Sequence, residues 1–186
     1  MEYLKTLRIY ILIFILIYKI QLIHTRVYHI TNDDFKLEFV NDLRNIDDEV
    51  IVYFDNDYYD LSKQGDINFS SIDITITFVG MGVNGTVFDY KNSNKGTFRM
   101  SFMRENNSII TFKNIIFQNF SDLGNLYLSL FLISGERLMN KVFFQGCIFK
   151  NNDNLIRLQR DSLCGHINDD KYFKVSFINC QFQYVY

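Results

Sequence analysis

The chain has 186 residues, a formal net charge of −2 and no run of Lys or Arg. Its length allows one domain with a sizeable core, and its scattered cations exclude the basic face that a nucleic-acid-binding protein uses on phosphates. Phe (19), Tyr (12), Ile and Asn dominate, and Pro, Trp and Ala are missing. The favoured residues have AT-rich codons, so the bias says nothing about function, but it does suit half-buried strands joined by asparagine turns.

Residues 1–25 read as a targeting segment. MEYLKTLR supplies Lys5 and Arg8, and Ile9 to Tyr18 follow as an uninterrupted apolar run of ten. A signal-peptide core needs about 7 to 15 such residues and a spanning helix about 20. Lys19 and Gln21 break the run, and Thr25 is the only small residue near a cleavage point. A cleaved signal peptide is expected, with an uncleaved signal anchor as the alternative. Only the anchor would hold the chain on a membrane. Either reading makes the protein secreted or displayed on the cell surface.

Residues 31–45 (TNDDFKLEFVNDLRN) carry Phe35, Phe39, Val40 and Leu43 at helical spacing, with Thr31 and Asp34 resembling an N-terminal cap. This predicts a short amphipathic helix that covers one end of whatever follows. EVIVYFDNDYYDLS, from Glu49 to Ser62, then begins a strand-rich region running to residue 186.

A strand pattern recurs four times in that region: ITFVGMGV from Ile76, ITFKNIIF from Ile110, VFFQGCIF from Val142 and VSFINCQF from Val175. The offsets are 34, 32 and 33 residues, a period that marks a repeat architecture. In the second copy Ile110 and Phe112 share one strand face and Ile115 and Phe117 another. The three-residue step from Phe112 to Ile115 brings both pairs to one core only if the chain turns a corner between them. Gly80, Asn114, Gly146 and Asn179 fill the corner position in the four copies, and Gly and Asn tolerate positive φ. On this reading Gly would replace Asn114 at little cost. The ungapped alignment puts Met81 and Val83 in the core of the first copy.

Other strands complete each period. LYLSLFLI, from Leu126 to Ile133, is apolar on both faces and predicts a third strand covered on its outer side. LIRLQR, from Leu155 to Arg160, alternates, with Ile156 and Leu158 facing in and Arg157 and Gln159 facing water. Three strands and about 33 residues per turn describe a parallel β-helix of about four coils, in which like residues form ladders. Ile115, Cys147 and Cys180 stack in one such ladder. Cys164 is the third and odd cysteine; no CxxC occurs and only His166 is close, so the cysteines read as core thiols and not as zinc ligands.

With these features the chain resembles the pectin-lyase-like right-handed β-helix superfamily. The likeness rests on the capping helix, EVIVYFDNDYYDL, the run ITITFVGMGVNGTVFDY from Ile74 to Tyr90, and the strand–corner–strand units ending in FQNF and FKNN. It covers roughly Thr31 to Tyr186 and implies an all-β, right-handed parallel β-helix. Members include pectate and pectin lyases, polygalacturonases and non-catalytic surface modules. No catalytic signature of the enzymes is visible here, so no catalytic, metal or cofactor-binding residue is carried over.

Single residues add little chemistry. Asp89, Asp122 and Asp153 come near the repeat period and read first as turn residues, second as a stacked calcium or catalytic column. Arg99, Arg104, Arg137, Arg157 and Arg160 read as surface charges, with a sugar-acid groove as the alternative. The pairs Asp33/Asp34, Asp47/Asp48 and Asp169/Asp170 are adjacent in sequence, which does not make the separated carboxylates of a glycosidase. GMGVNG, from Gly80 to Gly85, matches a phosphate-loop spacing but precedes a strand, not a helix. Tyr58, Tyr59 and Tyr90 are candidate exposed platforms for sugar rings. Asn68, Asn84, Asn106 and Asn119 head N-x-S/T sequons and are candidate N-glycosylation sites.

The expected function is binding. A secreted or surface β-helix, without catalysis or cofactor, would engage a polysaccharide or a surface protein along its flank. The rival is a polysaccharide lyase or glycoside hydrolase, or a truncated fragment of one; a structural spacer is a third reading. VSFINCQFQYVY, lacking any polar cap after it, predicts self-association through an open last coil.

Overall fold

The structure, a computed structural model, describes residue 10 and residues 25–31, 49–70, 75–102, 108–125, 127–135, 140–160 and 174–185. The targeting segment 1–25 lies outside them apart from Tyr10 and Thr25, and the capping helix expected over 31–45 lies outside them apart from Thr31.

Strand β1 (Arg26–Ile30) leads. Three strands per coil follow: β2 (Val50–Phe54), β3 (Tyr58–Asp60) and β4 (Ile67–Ser70) in the first coil. The second has β5 (Thr75–Gly80), β6 (Thr86–Ser93) and β7 (Phe98–Phe102). The third has β8 (Ile109–Lys113), β9 (Ile115–Phe120) and β10 (Phe131–Gly135). The fourth has β11 (Lys141–Gln145), β12 (Ile148–Asn152) and β13 (Ile156–Arg160), and β14 (Lys174–Ile178) with β15 (Gln181–Val185) begins the next. They stack as a six-stranded sheet β1-β2-β5-β8-β11-β14, a five-stranded sheet β3-β6-β9-β12-β15 and a four-stranded sheet β4-β7-β10-β13. Every pairing among the described residues is parallel. The architecture is an all-β parallel solenoid, with about three turns between the first complete triplet of strands and the fourth.

The repeat read from sequence is the observed register of the six-stranded sheet. Ile76 pairs with Ile110, Ile110 with Val142 and Val142 with Val175. Val50 and Arg26 extend that row in the other direction.

Phenylalanine fills the core from all three sheets. Phe112, Phe117 and Phe131 meet edge to face, with ring centroids 5.1 to 5.8 Å apart. Along the axis the rings stack nearly parallel: Phe78 on Phe112 at 5.1 Å, Phe112 on Phe144 at 5.2 Å, Phe144 on Phe177 at 5.0 Å. Phe117 stacks on Phe149 at 5.4 Å, and Phe98 on Phe131 at 5.3 Å. Both geometries are the favourable ones for aromatic quadrupoles. Ile110, Phe112, Ile115, Phe117 and their counterparts Val142, Phe144, Cys147 and Phe149 are all buried. One coil further the expected burial is lost: Phe177 is 39% and Phe182 51% exposed, because no described residue covers β14 and β15.

The corner column is real, with one correction. Asn114, Gly146 and Asn179 have φ of 55°, 62° and 53°, but Gly80 does not have positive φ. In the second coil the corner is Gly85, at φ 100°, since Thr86 pairs with Ile115. The first copy carries an extra turn, Met81–Gly85, which an ungapped alignment cannot accommodate. Met81 and Val83 are therefore 52% and 99% exposed, and Thr86 and Phe88 occupy the core positions assigned to them. Gly80 is needed for a different reason: a Cβ there would stand 2.2 Å from the carbonyl oxygen of Asn114.

The third strand of the period also differs from expectation. β10 starts at Phe131, Tyr127 is 76% exposed and Leu132 half-buried, so the outer side of this segment is not covered throughout. In β13 Ile156 and Leu158 share register with buried Phe131 and Ile133. Leu158 is nevertheless 58% exposed, as expected for a last strand in its sheet.

Two stability experiments follow from this packing. Phe144→Ala empties a fully buried site between two stacked rings and should cost about 3 to 5 kcal/mol in chemical denaturation. Asn114 donates from Nδ2 to the carbonyls of Gly80 (2.9 Å) and Gly82 (3.2 Å), so glycine is not the free replacement that backbone geometry alone implies. Asn114→Gly should cost about 1 kcal/mol, and Asn114→Val roughly 1 to 2 kcal/mol more, for left-handed strain. Equal stability of the two variants would show that the corner is not strained.

Candidate functional site

The outer face of the five-stranded sheet carries the densest side-chain organisation on the described surface. Its inward column is Tyr59, Phe88, Phe117, Phe149 and Phe182. Alternation turns the residues on either side outward. On one side stand Tyr58, Val87, Ile116, Ile148 and Gln181, and on the other Asp60, Asp89, Gln118, Lys150 and Gln183. The first column is largely apolar and the second wholly polar. Val87, Ile116 and Ile148 are half-buried, and Tyr58 is 40% exposed.

Hydrogen bonds link part of the polar column and its neighbours from coil to coil. The Asp89 carboxylate accepts from Tyr58 Oη (3.3 Å), the Lys91 amide (2.9 Å), Gln118 Nε2 (3.0 Å) and Asn119 Nδ2 (3.0 Å). Asn151 Nδ2 donates on to Asn119 Oδ1 at 3.3 Å. Asn119, Asn151 and Tyr184 all have φ between 52° and 59° and form a second left-handed corner column. Burial pushes the Asp89 carboxyl up, but its four donors outweigh that and hold it below its ordinary value. Asp60 accepts from Lys91 Nζ and Ser62 Oγ, both at 2.6 Å, and is held down to about 2, mainly by the Lys91 hydrogen bond and then by that of Ser62.

The other sequence candidates do not converge here. Asp122 accepts from the Gly124 amide (2.8 Å) and from Asn154 Nδ2; Asp153 accepts from Ser121 Oγ (2.9 Å). Both brace turns, whereas Asp89 lies within β6, so the three do not make one column. Arg99 and Arg157 project from the four-stranded sheet, Arg99 to Asp66 (2.8 Å) and Arg157 over the Tyr127 ring (5.1 Å). Arg104, Arg137, Cys164, His166 and the pairs Asp33/Asp34, Asp47/Asp48 and Asp169/Asp170 lie outside the described residues, as do the side chain of Arg160 and the sequon residue Asn106. Tyr59 and Tyr90 are buried, contrary to expectation: in YYD only one of two neighbouring tyrosines can face out, and Tyr90 packs on Phe120 at 5.7 Å.

Cys147 is buried, its Sγ donating to the Phe112 carbonyl at 3.4 Å, and burial pushes the thiol up to about 12. Cys180 repeats the contact one coil on, to the Phe144 carbonyl at 3.3 Å. Among the described residues no group of three or more His, Cys, Asp or Glu could hold a metal, and no helix is long and apolar enough to cross a membrane.

Sequence reading passed over Lys91 and Gln118 and saw Asn119 only as a sequon. A signal existed: FQN and FKN recur one period apart, placing an amide or amine and then an Asn after the buried Phe. Comparison with protein-family models, with curated proteins and with solved structures finds no match to this chain.

The Asp60–Lys91 pair makes an acid-dependence test. The folded Asp60 titrates below its ordinary 3.8, so its contribution is complete above that value and is lost as pH falls toward about 2. The urea-midpoint difference between the parent and Asp60→Asn should be constant from neutral pH to about 3.8 and shrink to nothing near 2. A difference unchanged by acid would remove the pair from the stability of this face.

Proposed function

We propose that the protein is a secreted or cell-surface right-handed β-helix, akin to the non-catalytic members of the pectin-lyase-like superfamily, that binds an extended polysaccharide along its five-stranded flank. The carrying observation is the apolar column Tyr58–Val87–Ile116–Ile148 running beside the polar column Asp60–Asp89–Gln118–Lys150. A sugar ring has an apolar C–H face and a hydroxyl-bearing edge. One column suits the face, aromatic Tyr58 most of all, and the other suits the hydroxyls. Parallel strands repeat the pair of columns at about 4.8 Å steps, so a polymer of like units meets one side chain from each column at every step.

Binding is favoured over catalysis by where the charges lie. Asp60 and Asp89 are each satisfied by several donors, and Arg99 and Arg157 project from a different sheet. Among the described residues that leaves no poised acid and base together on this flank.

Affinity electrophoresis through gels containing polygalacturonan, a β-linked glucan or a chitin derivative tests this reading. At least one polymer should retard the parent protein. Tyr58→Ala and Gln118→Ala should each weaken retention roughly fivefold, the loss of about 1 kcal/mol, while Arg99→Ala should leave it unchanged. Absence of retardation by all three polymers, or release of new reducing or unsaturated ends, would overturn it.

A further inference from the structure

The extra turn Met81–Gly85 is tied down from several sides yet presents its tip to water. The Gly85 amide donates to the Gly82 carbonyl (3.0 Å), the Met81 amide to the Phe54 carbonyl (3.1 Å), and Asn114 Nδ2 to the Gly82 carbonyl (3.2 Å). Val83 at its apex is 99% exposed and Met81 52%. Asn84 is exposed beside them, and it heads the sequon Asn84-Gly85-Thr86. The other described sequons differ. Asn119 Nδ2 donates to Asp89 while its Oδ1 accepts from Asn151, and Asn68 Nδ2 donates to the Asp66 carbonyl (3.3 Å).

Thr86 supplies a second constraint. Its side chain is fully buried, and Oγ1 donates to the Asn56 carbonyl (3.1 Å) while accepting from the Gly82 amide (3.3 Å). A transferase that must grip the sequon's hydroxyl cannot reach it once this coil has closed.

We propose that Asn84 is an N-glycosylation site, filled before the second coil folds. Asn84 Nδ2 attacks C1 of a lipid-diphosphate-linked oligosaccharide. The C1–N bond forms, the C1–O bond to diphosphate breaks, and the amide proton leaves with the departing lipid diphosphate. The folded turn then holds the glycan outward, where its first sugars lie over Met81 and Val83 and cover apolar surface that the fold itself leaves wet. At Asn119 the same sugar would instead displace the hydrogen bond to Asp89.

The proposal rests on the secretory routing in the preceding section, and the test separates the two. The full chain is translated with endoplasmic-reticulum microsomes, and products are scored for protease protection and for an endoglycosidase-sensitive mobility ladder. The parent should be protected and glycosylated, and Asn84→Gln should lose one rung. Folded, unmodified chain given solubilised transferase and lipid-linked donor should gain nothing at Asn84. A protected chain whose ladder ignores Asn84→Gln overturns the proposal alone. An unprotected chain overturns it together with the routing, and modification of the folded chain at Asn84 overturns the proposed order.

Discussion

In-register parallel pairing is the constraint from which the rest of the structure descends. It places each residue directly over its counterpart one coil away, so every position must be compatible with its own kind. Phenylalanine meets that demand because flat rings stack, and the stack Phe78–Phe112–Phe144–Phe177 keeps centroids 5.0 to 5.2 Å apart. A column of one charged residue type would set like charges over one another at every step, which fits the aromatic and aliphatic make-up of the core columns.

Some buried polar side chains complete backbone hydrogen bonds. Asn152 is fully buried, its Oδ1 accepting from the Phe120 amide (2.9 Å) and its Nδ2 donating to the Phe117 carbonyl (2.8 Å). Asn140, also buried, accepts from the Ser108 amide at 2.8 Å. Asparagine is suited to this work: it carries a donor and an acceptor, tolerates left-handed φ, and reaches a neighbouring coil's main chain. The composition that coincides with AT-rich codons is thus also the composition that a ladder-built solenoid needs.

How much could be read without coordinates follows from where periodicity holds. The rows through Ile110, Phe112, Ile115 and Phe117 were legible because each recurs at nearly constant spacing and alternates cleanly with polar neighbours. Met81 and Val83 were misassigned because five extra residues entered at a corner, and a Gly at the expected place disguised them. Tyr59 and Tyr90 were misread since side-chain direction depends on strand phase, which residue type does not disclose. The polar column around Asp89 was hardest to foresee: its members lie 29 to 31 residues from Asp89 and are unlike in type, and the recurrence of FQN and FKN one period apart is the one repeat that hints at them.

The turn at Met81–Gly85 has a wider meaning for how the chain finds its register. A core made of the same residue at every level is nearly degenerate, since sliding one coil by a whole period would set phenylalanine on phenylalanine again. The ladders therefore confer cohesion but little information about order. That information resides in the irregular parts: the longer corner of the second coil, the Gly80 that admits the Asn114 carbonyl, and the unlike partners gathered by Asp89. Misthreaded stacks would keep their greasy centre and lose these matches, so the departures from the repeat are what single out one arrangement among many near-copies.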